Sequence, residues 1–159
     1  MSIAPKSTVV PFTILASGSG VAQSVQAGGH QFATDTYPSF GGMDEAPSPL
    51  FYALAALSSC NQVTASLVAK ELGITLGEWA FEIVGDLDTS VLVGGADGNA
   101  NFEKVTVRAT IETDADGAQF ERLVTETERR CPVTQLFKRS GLDFDNVWSS
   151  ASLPALQVV

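Results

Sequence analysis

Cysteine, histidine and basic residues are all scarce in this 159-residue chain. It has two cysteines and one histidine, and nine lysines and arginines against 18 aspartates and glutamates. Two cysteines are too few for the disulfide framework of a small secreted domain. A formal net charge of −9 does not provide the basic surface that nucleic acids and anionic membranes require. The composition predicts a cytoplasmic protein with no nucleic-acid or membrane partner.

Long hydrophobic runs are missing too. No segment contains the roughly 20 consecutive apolar residues that a transmembrane helix needs. The apolar stretch after Lys6 is short and contains Pro11, so we do not interpret it as a secretory signal. A hydrophobic content of 45% with 17% charged residues is typical of a folded protein. The length predicts one domain over residues 1–159.

Motifs for metals, nucleotides and hydrolysis are absent as well. The two distant cysteines and the single histidine, His30, do not have the spacing of a zinc site. The glycines match neither the dinucleotide-binding pattern nor the P-loop. Ser58 and Ser59 lack the flanking glycines of a hydrolase nucleophile. We therefore expect no metal and no cofactor.

The strongest helical pattern covers residues 49–72. Ser48 suits the N-cap, Pro49 suits the first helical position, and Gly73 follows the last turn. The first half is apolar nearly all round, which predicts a buried helix rather than a surface helix. Cys60 lies in the middle of this helix. We expect it on a packed face, because apolar residues lie three and four positions away.

Strand patterns lie on both sides of this helix, and further helices come later. Alternating apolar residues between glycine-rich turns predict strands within residues 8–36 and 76–113. Helical patterns within 117–140 are followed by a last strand over 142–149. This order predicts an α+β fold, an antiparallel sheet with long helices on one face.

Cys131 has two interpretations from its neighbours alone. Pro132 disfavours a helical conformation at Cys131 and suits the first turn of a new helix, so Cys131 is placed to cap that helix. A helix start, with Arg129 and Arg130 adjacent, favours the reactive thiolate. Alternatively, Cys131 is a small buried residue that completes the apolar stripe of the preceding helix.

Cys60 has a less favourable setting. A thiol inside a helix gains nothing from that helix's dipole, and apolar surroundings raise a thiol pKa. Cys60 is therefore reactive only if another part of the fold supplies a cation or a hydrogen-bond donor. The alternative is an inert core cysteine. His30, in a predicted strand, is more typical of a structural side chain than of a base.

Three motifs together resemble the OsmC/Ohr family. They are a Gly-Gly-x-Asp-x-x-Pro-x-Pro-Leu stretch from Gly41 to Leu50, an Ala/Leu-rich helix that reaches Cys60, and the Arg-Cys-Pro-Val sequence from Arg130 to Val133. The order of elements is similar as well, over approximately residues 28–148. The last motif is the most specific of the three.

This resemblance implies an intertwined homodimer with the cysteine-bearing helices at its centre. It also implies a peroxidase that acts in oxidative-stress defence. Cys60 would be the peroxidatic cysteine, which attacks an organic hydroperoxide and becomes a sulfenic acid. Cys131 would be the resolving cysteine, which condenses with it to a disulfide. An external dithiol such as dihydrolipoamide would reduce that disulfide.

The chain departs from the family at the groups that activate the first thiolate. In the well-defined peroxidases these are an N-terminal arginine and a glutamate near the start of the main helix. Here no arginine precedes Arg108, and Leu50 and Phe51 occupy the helix positions. Lys6, His30, Arg129 and Arg130 are the candidates for a replacement cation.

The same departure supports a second interpretation. Without the arginine and the glutamate, the chain fits a non-catalytic dimer that binds a small hydrophobic molecule at its interface. Its cysteines would then be inert or redox-sensing. Both interpretations share the fold and the dimer, and they differ in whether a hydroperoxide oxidises Cys60.

Overall fold

Ten α-helices and strands, with a short 3-10 helix over Pro38–Phe40, follow one another in the computed structural model, which describes residues 8–155. They are strands β1 (Ile14–Ser19), β2 (Ala22–Ala27) and β3 (His30–Thr34), helix α1 (Pro49–Leu72), strand β4 (Leu76–Leu87), helix α2 (Thr89–Gly94), strand β5 (Phe102–Thr113), helices α3 (Gly117–Arg130) and α4 (Pro132–Arg139), and strand β6 (Asp143–Ser152). The α+β class is confirmed. The chain forms two compact units, one ending at Tyr52 and the other beginning at Ala53.

The first unit contains an antiparallel three-stranded sheet in the order β1-β2-β3. Strands β1 and β2 pair from Ile14 opposite Ala27 to Ser19 opposite Ala22, so two residues form the turn. Gly20 in that turn has a φ of 62°, a conformation that glycine adopts without strain. The strand begins at Ile14, later than the pattern from residue 8 suggested, because alternation alone does not supply a pairing partner.

The glycine-rich loop before α1 is organised by one buried carboxylate. Asp35 is 4% exposed, and its Oδ2 accepts backbone N–H bonds from Met43 at 3.0 Å and Glu45 at 3.1 Å. These and further N–H groups of the loop hold the pKa of Asp35 below its usual value. At Gly42 an added Cβ would lie 2.0 Å from the carbonyl oxygen of Thr36. Gly42, the second glycine of the motif, therefore allows the loop backbone to approach Thr36 closely.

We expect Gly42→Ala to destabilise the protein by about 3 kcal/mol, because the new methyl group forces the loop backbone apart. Gly29→Ala is the matched control, since no atom lies within 4 Å of its added Cβ. That variant should stay within about 1 kcal/mol of the parent protein. Urea denaturation followed by circular dichroism measures both. Equal stability of the two variants would contradict the close approach at Gly42.

The second unit contains a mixed three-stranded sheet in the order β4-β5-β6. Strands β4 and β5 are antiparallel, as predicted, with Trp79 opposite Ile111 and Ile83 opposite Val107. Strand β6 runs parallel to β5, with Lys104 opposite Asp143. This pair differs from the predicted antiparallel order. The connection through α3 and α4 is long enough to return the chain to the start of β5, which a parallel pair requires.

Residues of α1 contribute to both hydrophobic clusters of the second unit. One cluster joins Ala65 and Val68 to Leu123 of α3. The other joins Leu57 to Val105 and Val107 of β5. Leu57, Val105 and Leu123 are completely buried. Helix α1 contributes to one cluster near its middle and to the other further along its length. These two contacts determine how the helix is rotated about its axis, and therefore which way each of its side chains points.

The face of α1 that is buried differs from the predicted one. The buried residues are Leu57, Asn61, Thr64, Ala65, Val68 and Ala69. Val63 and Leu67, which share a face with Cys60, are 62% and 55% exposed. Phe51 is 51% exposed, so the first half of the helix is not buried all round either. Apolar residues occupy both sides of α1, and hydrophobicity alone does not identify the side that meets the sheet.

Helix α2 was not predicted, because its six residues are too few to give a helical pattern in the sequence and the glycine-rich stretch from Val93 to Ala100 begins within it. Asp88 begins this helix by accepting the N–H of Ser90 at 2.8 Å, and Gly95 ends it with a φ of 64°.

Across residues 8–155, no helix combines the length and the apolar character needed to cross a membrane.

Candidate active site

Cys131 lies at the junction of α3 and α4, where it serves both helices. Its backbone N–H donates to the carbonyl of Thr127 at 2.8 Å and so ends α3. Its Sγ accepts the N–H of Thr134 at 3.4 Å and so begins α4. The predicted cap is confirmed. Cys131 is completely buried, which agrees with the burial that the alternative interpretation expected.

Cys60 lies at the edge of the buried face of α1 and is half-buried. The Cys131 side chain lies close enough to the Cys60 thiol to shift its pKa. The backbone N–H of Val133 and the hydroxyl of Thr64 lie near this thiol as donors that favour its charged form and lower its pKa. Both cysteines are free thiols. The fold therefore brings the two thiols together at the first turn of α4.

Several groups act on the pKa of the Cys60 thiol. Burial raises this pKa most, because a thiolate is poorly solvated inside the protein. The neighbouring Cys131 side chain raises it further. The Val133 N–H and the Thr64 hydroxyl lower it, since both donate hydrogen bonds to the charged form. The net result is a pKa above the ordinary value, so the thiolate is a minority species at neutral pH.

The helix whose N-terminus acts on Cys60 is α4, and not α1, which carries Cys60. The sequence predicted no gain for Cys60 from the dipole of α1 itself and required a cation or a donor from another part of the fold. The Val133 N–H belongs to the first turn of α4, whose unpaired N–H groups carry partial positive charge. Sequence reasoning missed this donor because Cys60 and Val133 are far apart in the chain.

Three candidate cations lie among the described residues, and each has surroundings of its own. Arg130 forms two hydrogen bonds with Glu71, at 2.6 and 2.9 Å. Arg129 pairs with Glu126 at 2.7 Å. His30 is an exposed residue at the start of β3, opposite Ala27 of β2. Among residues 8–155, no cation is one of the groups that shift the pKa of Cys60. A fourth candidate, Lys6, lies outside the described residues, and the activating role of all four stays a prediction.

Two further polar residues lie completely buried beside the thiols. Asn61 follows Cys60 in α1, and its Oδ1 accepts the hydroxyl hydrogen of Thr134 at 3.0 Å. Sequence analysis missed Asn61, Thr64 and Thr134 as parts of the site. One signal was present in the pattern, because Asn61 and Thr64 interrupt an otherwise apolar helical stripe, and buried polar groups need a specific partner.

The two neighbouring thiols, Cys60 and Cys131, are suited to thiol–disulfide chemistry. Two neighbouring thiols can form a disulfide when their Cα atoms lie within about 7 Å of each other. Such a pair gives up two electrons to an oxidant and regains them from another dithiol. In residues 8–155 no group of three or more His, Cys, Asp or Glu side chains is placed to hold a metal ion. The chemistry available to these residues is thiol chemistry.

The fold and the paired thiols define a small α+β protein with a buried dithiol. The family model described as OsmC-like protein matches residues 42–145, about two thirds of the chain. The protein belongs to the OsmC-like family. The matched region contains both cysteines and begins at Gly42, within the loop that Asp35 organises.

Solved structures of the family have the same fold. An OsmC-like protein from Mycoplasma pneumoniae has a TM-score of 0.77 at 17% identity and covers 89% of this chain and 98% of its own. An organic hydroperoxide resistance protein from Elizabethkingia anophelis has a TM-score of 0.70 at 20% identity, covering 92% and 100%. One from Legionella pneumophila has a TM-score of 0.68 at 20% identity, covering 90% and 99%. Among curated proteins, none matches the sequence significantly.

Proposed function

We propose that this protein is a thiol-dependent peroxidase that reduces organic hydroperoxides in cytoplasmic oxidative-stress defence. The observation that carries the proposal is that the Cys60 and Cys131 thiols lie together at the start of α4, close enough for Cys131 to shift the pKa of Cys60. Family membership supports it, and two structural relatives are described as organic hydroperoxide resistance proteins.

The proposed cycle has three balanced steps. The Cys60 thiolate attacks the outer oxygen of the hydroperoxide, the O–O bond breaks, and the alcohol leaves with a proton while Cys60 becomes a sulfenic acid. The Cys131 thiol then attacks the sulfenic sulfur, and water leaves as the disulfide forms. An external dithiol, of the dihydrolipoamide kind, finally exchanges with this disulfide and restores both thiols.

The surroundings of Cys60 support these steps in a specific way. The Val133 N–H and the Thr64 hydroxyl are donors to the thiolate, so they stabilise the nucleophile without carrying a charge. Cys131 lies beside Cys60, so a resolving thiol is at hand when the sulfenic acid forms. The first turn of α4 thus holds both the activating N–H and the resolving thiol.

The test of this proposal is oxidation of the reduced protein. Reduced protein is mixed with a small excess of cumene hydroperoxide, and the free thiols are then titrated under denaturing conditions. We expect both thiols to disappear together and to return after treatment with dihydrolipoamide. Survival of both thiols would contradict the proposal.

One observation favours the second candidate function, a dimer that binds a hydrophobic molecule. Burial raises the pKa of Cys60, which makes its thiol a weaker nucleophile at neutral pH than an exposed cysteine. Under this alternative the thiols survive cumene hydroperoxide. An apolar fluorescent probe would then bind the protein equally well in its reduced form and after both cysteines are replaced by serine.

We further propose that the protein is a homodimer. Its support is the exposed apolar face of α1, where Val63 and Leu67 lie beside the half-buried Cys60. Apolar side chains at neighbouring turns of one helix are typical of a surface that another chain covers. Two copies of this face would meet in the same way from both sides, as a twofold interface requires.

We expect the double variant Val63→Asp/Leu67→Asp to be a monomer, because four buried carboxylates would face each other across the interface. Light scattering coupled to size-exclusion chromatography should give twice the 16.7 kDa chain mass for the parent protein and one chain mass for the variant. Thr125→Asp, at an exposed position of α3, is the control and should remain dimeric. A monomeric parent protein would contradict the proposed homodimer.

A further inference from the structure

A buried hydrogen bond connects α1 to α4 directly beside the two thiols. The hydroxyl of Thr134 donates to Oδ1 of Asn61 at 3.0 Å, and both residues are completely buried. Most of the neighbouring core of this unit consists of apolar side chains such as Leu57 and Leu123. A buried polar pair adds little stability over apolar packing but determines which groups lie opposite each other.

Thr134 and its neighbour lie next to both sulfurs. The backbone N–H of Thr134 donates to Sγ of Cys131 at 3.4 Å. The N–H of the preceding residue, Val133, favours the charged form of the Cys60 thiol and lowers its pKa. Asn61 is adjacent to Cys60 in α1. The hydrogen bond between Thr134 and Asn61 therefore joins the helical turn that carries Cys60 to the turn that supplies both N–H donors.

The other polar atom of the Asn61 side chain also indicates a specific role for this residue. Its Nδ2 is buried and has no hydrogen-bond partner among the described residues. An unpaired buried donor is unfavourable, and an apolar side chain of similar size would not have this cost. The retained contact is the one that Oδ1 makes with Thr134. An amide at this position is therefore better explained by alignment of the two helices than by stability.

We propose that Asn61 and Thr134 are positioning residues of the dithiol, whose hydrogen bond holds the first turn of α4 in register with Cys60 and Cys131. The catalytic consequences of this inference rest on the proposed peroxidase function. The alignment itself does not, because it can be measured with a reagent that is not a peroxide.

Loss of this hydrogen bond should have two chemical effects. The Val133 N–H would donate less well to Cys60, so the pKa of Cys60 would rise further. Cys131 would also be held less closely, so the sulfenic acid on Cys60 would live longer before it forms the disulfide. A second hydroperoxide molecule then converts the sulfenic acid to a sulfinic acid and leaves as the alcohol.

The test replaces Thr134 by valine, which keeps the shape and removes the hydroxyl. Iodoacetamide alkylation of Cys60 is followed from pH 6 to 10 by peptide mass spectrometry, which distinguishes Cys60 from Cys131. We expect Thr134→Val to raise the midpoint by about half a pH unit and to slow alkylation at pH 7 about threefold. Thr134→Ser, which restores the hydroxyl, should return the midpoint to the parent value.

The control for a general loss of stability is Thr113→Val. Thr113 is also buried and donates its hydroxyl to the carbonyl of Thr75 at 2.9 Å, without contact to either thiol. This variant should leave the Cys60 profile unchanged. If Thr134→Val does not fold, Asn61→Leu removes the same hydrogen bond from the other side and is judged by the same shift.

The outcomes separate this inference from the proposed function. An unchanged alkylation profile in folded Thr134→Val or Asn61→Leu overturns the positioning role, whatever the peroxidase activity. Resistance of the parent thiols to cumene hydroperoxide overturns the peroxidase, whatever the alkylation profile. When both hold, Thr134→Val should also accumulate more Cys60 sulfinic acid than the parent protein at equal hydroperoxide.

Discussion

Cys60→Ser is expected to abolish hydroperoxide reduction, lowering dithiol-dependent turnover by roughly a thousandfold or more. A serine hydroxyl at this position is not ionised at neutral pH, and its oxygen does not form the sulfenic acid that the cycle needs. Cumene hydroperoxide consumption in the presence of dihydrolipoamide measures the effect. In this variant the Cys131 thiol should remain titratable after exposure to the hydroperoxide.

Cys131→Ser is the informative partner of this variant. Serine is a good N-cap, so α4 should keep its first turn. Cys60 should still react once, giving a sulfenic acid that dimedone labels and mass spectrometry detects. Equal loss of the first oxidation step in both variants would contradict the assignment of Cys60 as the attacking residue. Full turnover in Cys131→Ser would contradict the role of Cys131 as the resolving residue.

The rate of Cys60 oxidation by cumene hydroperoxide is expected to rise about tenfold per pH unit between pH 6 and 8. The thiolate is the nucleophile, and burial raises the pKa of Cys60 above its ordinary value. Below that pKa the thiolate fraction therefore increases tenfold for each pH unit. Rapid mixing with tryptophan fluorescence or quenched thiol titration gives the single-turnover rate at each pH.

A plateau already reached at pH 7 would contradict this expectation. It would show that a cation lies close to Cys60 in the working protein, as the sequence prediction for His30, Arg129 and Arg130 required. Thr64→Val provides the matched comparison. Loss of the Thr64 hydroxyl removes one donor to the thiolate, so the whole profile should move to higher pH.

Local signals in the sequence predicted local structure well. Helix α1 covers Pro49–Leu72, bounded by the proline and glycine that indicated its ends. Cys131 caps α4 because Pro132 both ends the preceding helix and suits the next one. Each of these features depends on residues a few positions apart, whose preferences act through the backbone without help from the rest of the fold.

Features that depend on distant contacts were predicted less well. The buried side of α1 was assigned wrongly, since Val63 and Leu67 are as apolar as the residues that meet the sheet. Strand β6 runs parallel to β5, and nothing in its own residues sets its direction. In both cases several arrangements satisfy the local pattern, and packing against other elements selects one of them.

The sequence by itself determined the α+β class, the central helix, the capping position of Cys131 and the family to which both cysteines belong. Only the tertiary structure decided that Cys60 meets Cys131, that the donors to its sulfur are the Val133 N–H and the Thr64 hydroxyl, and that Asn61 pairs with Thr134 behind them. The physical reason is that a thiol's reactivity depends on the solvation and hydrogen bonds around its sulfur. For Cys60 those groups come largely from α4, and only packing brings that helix to it.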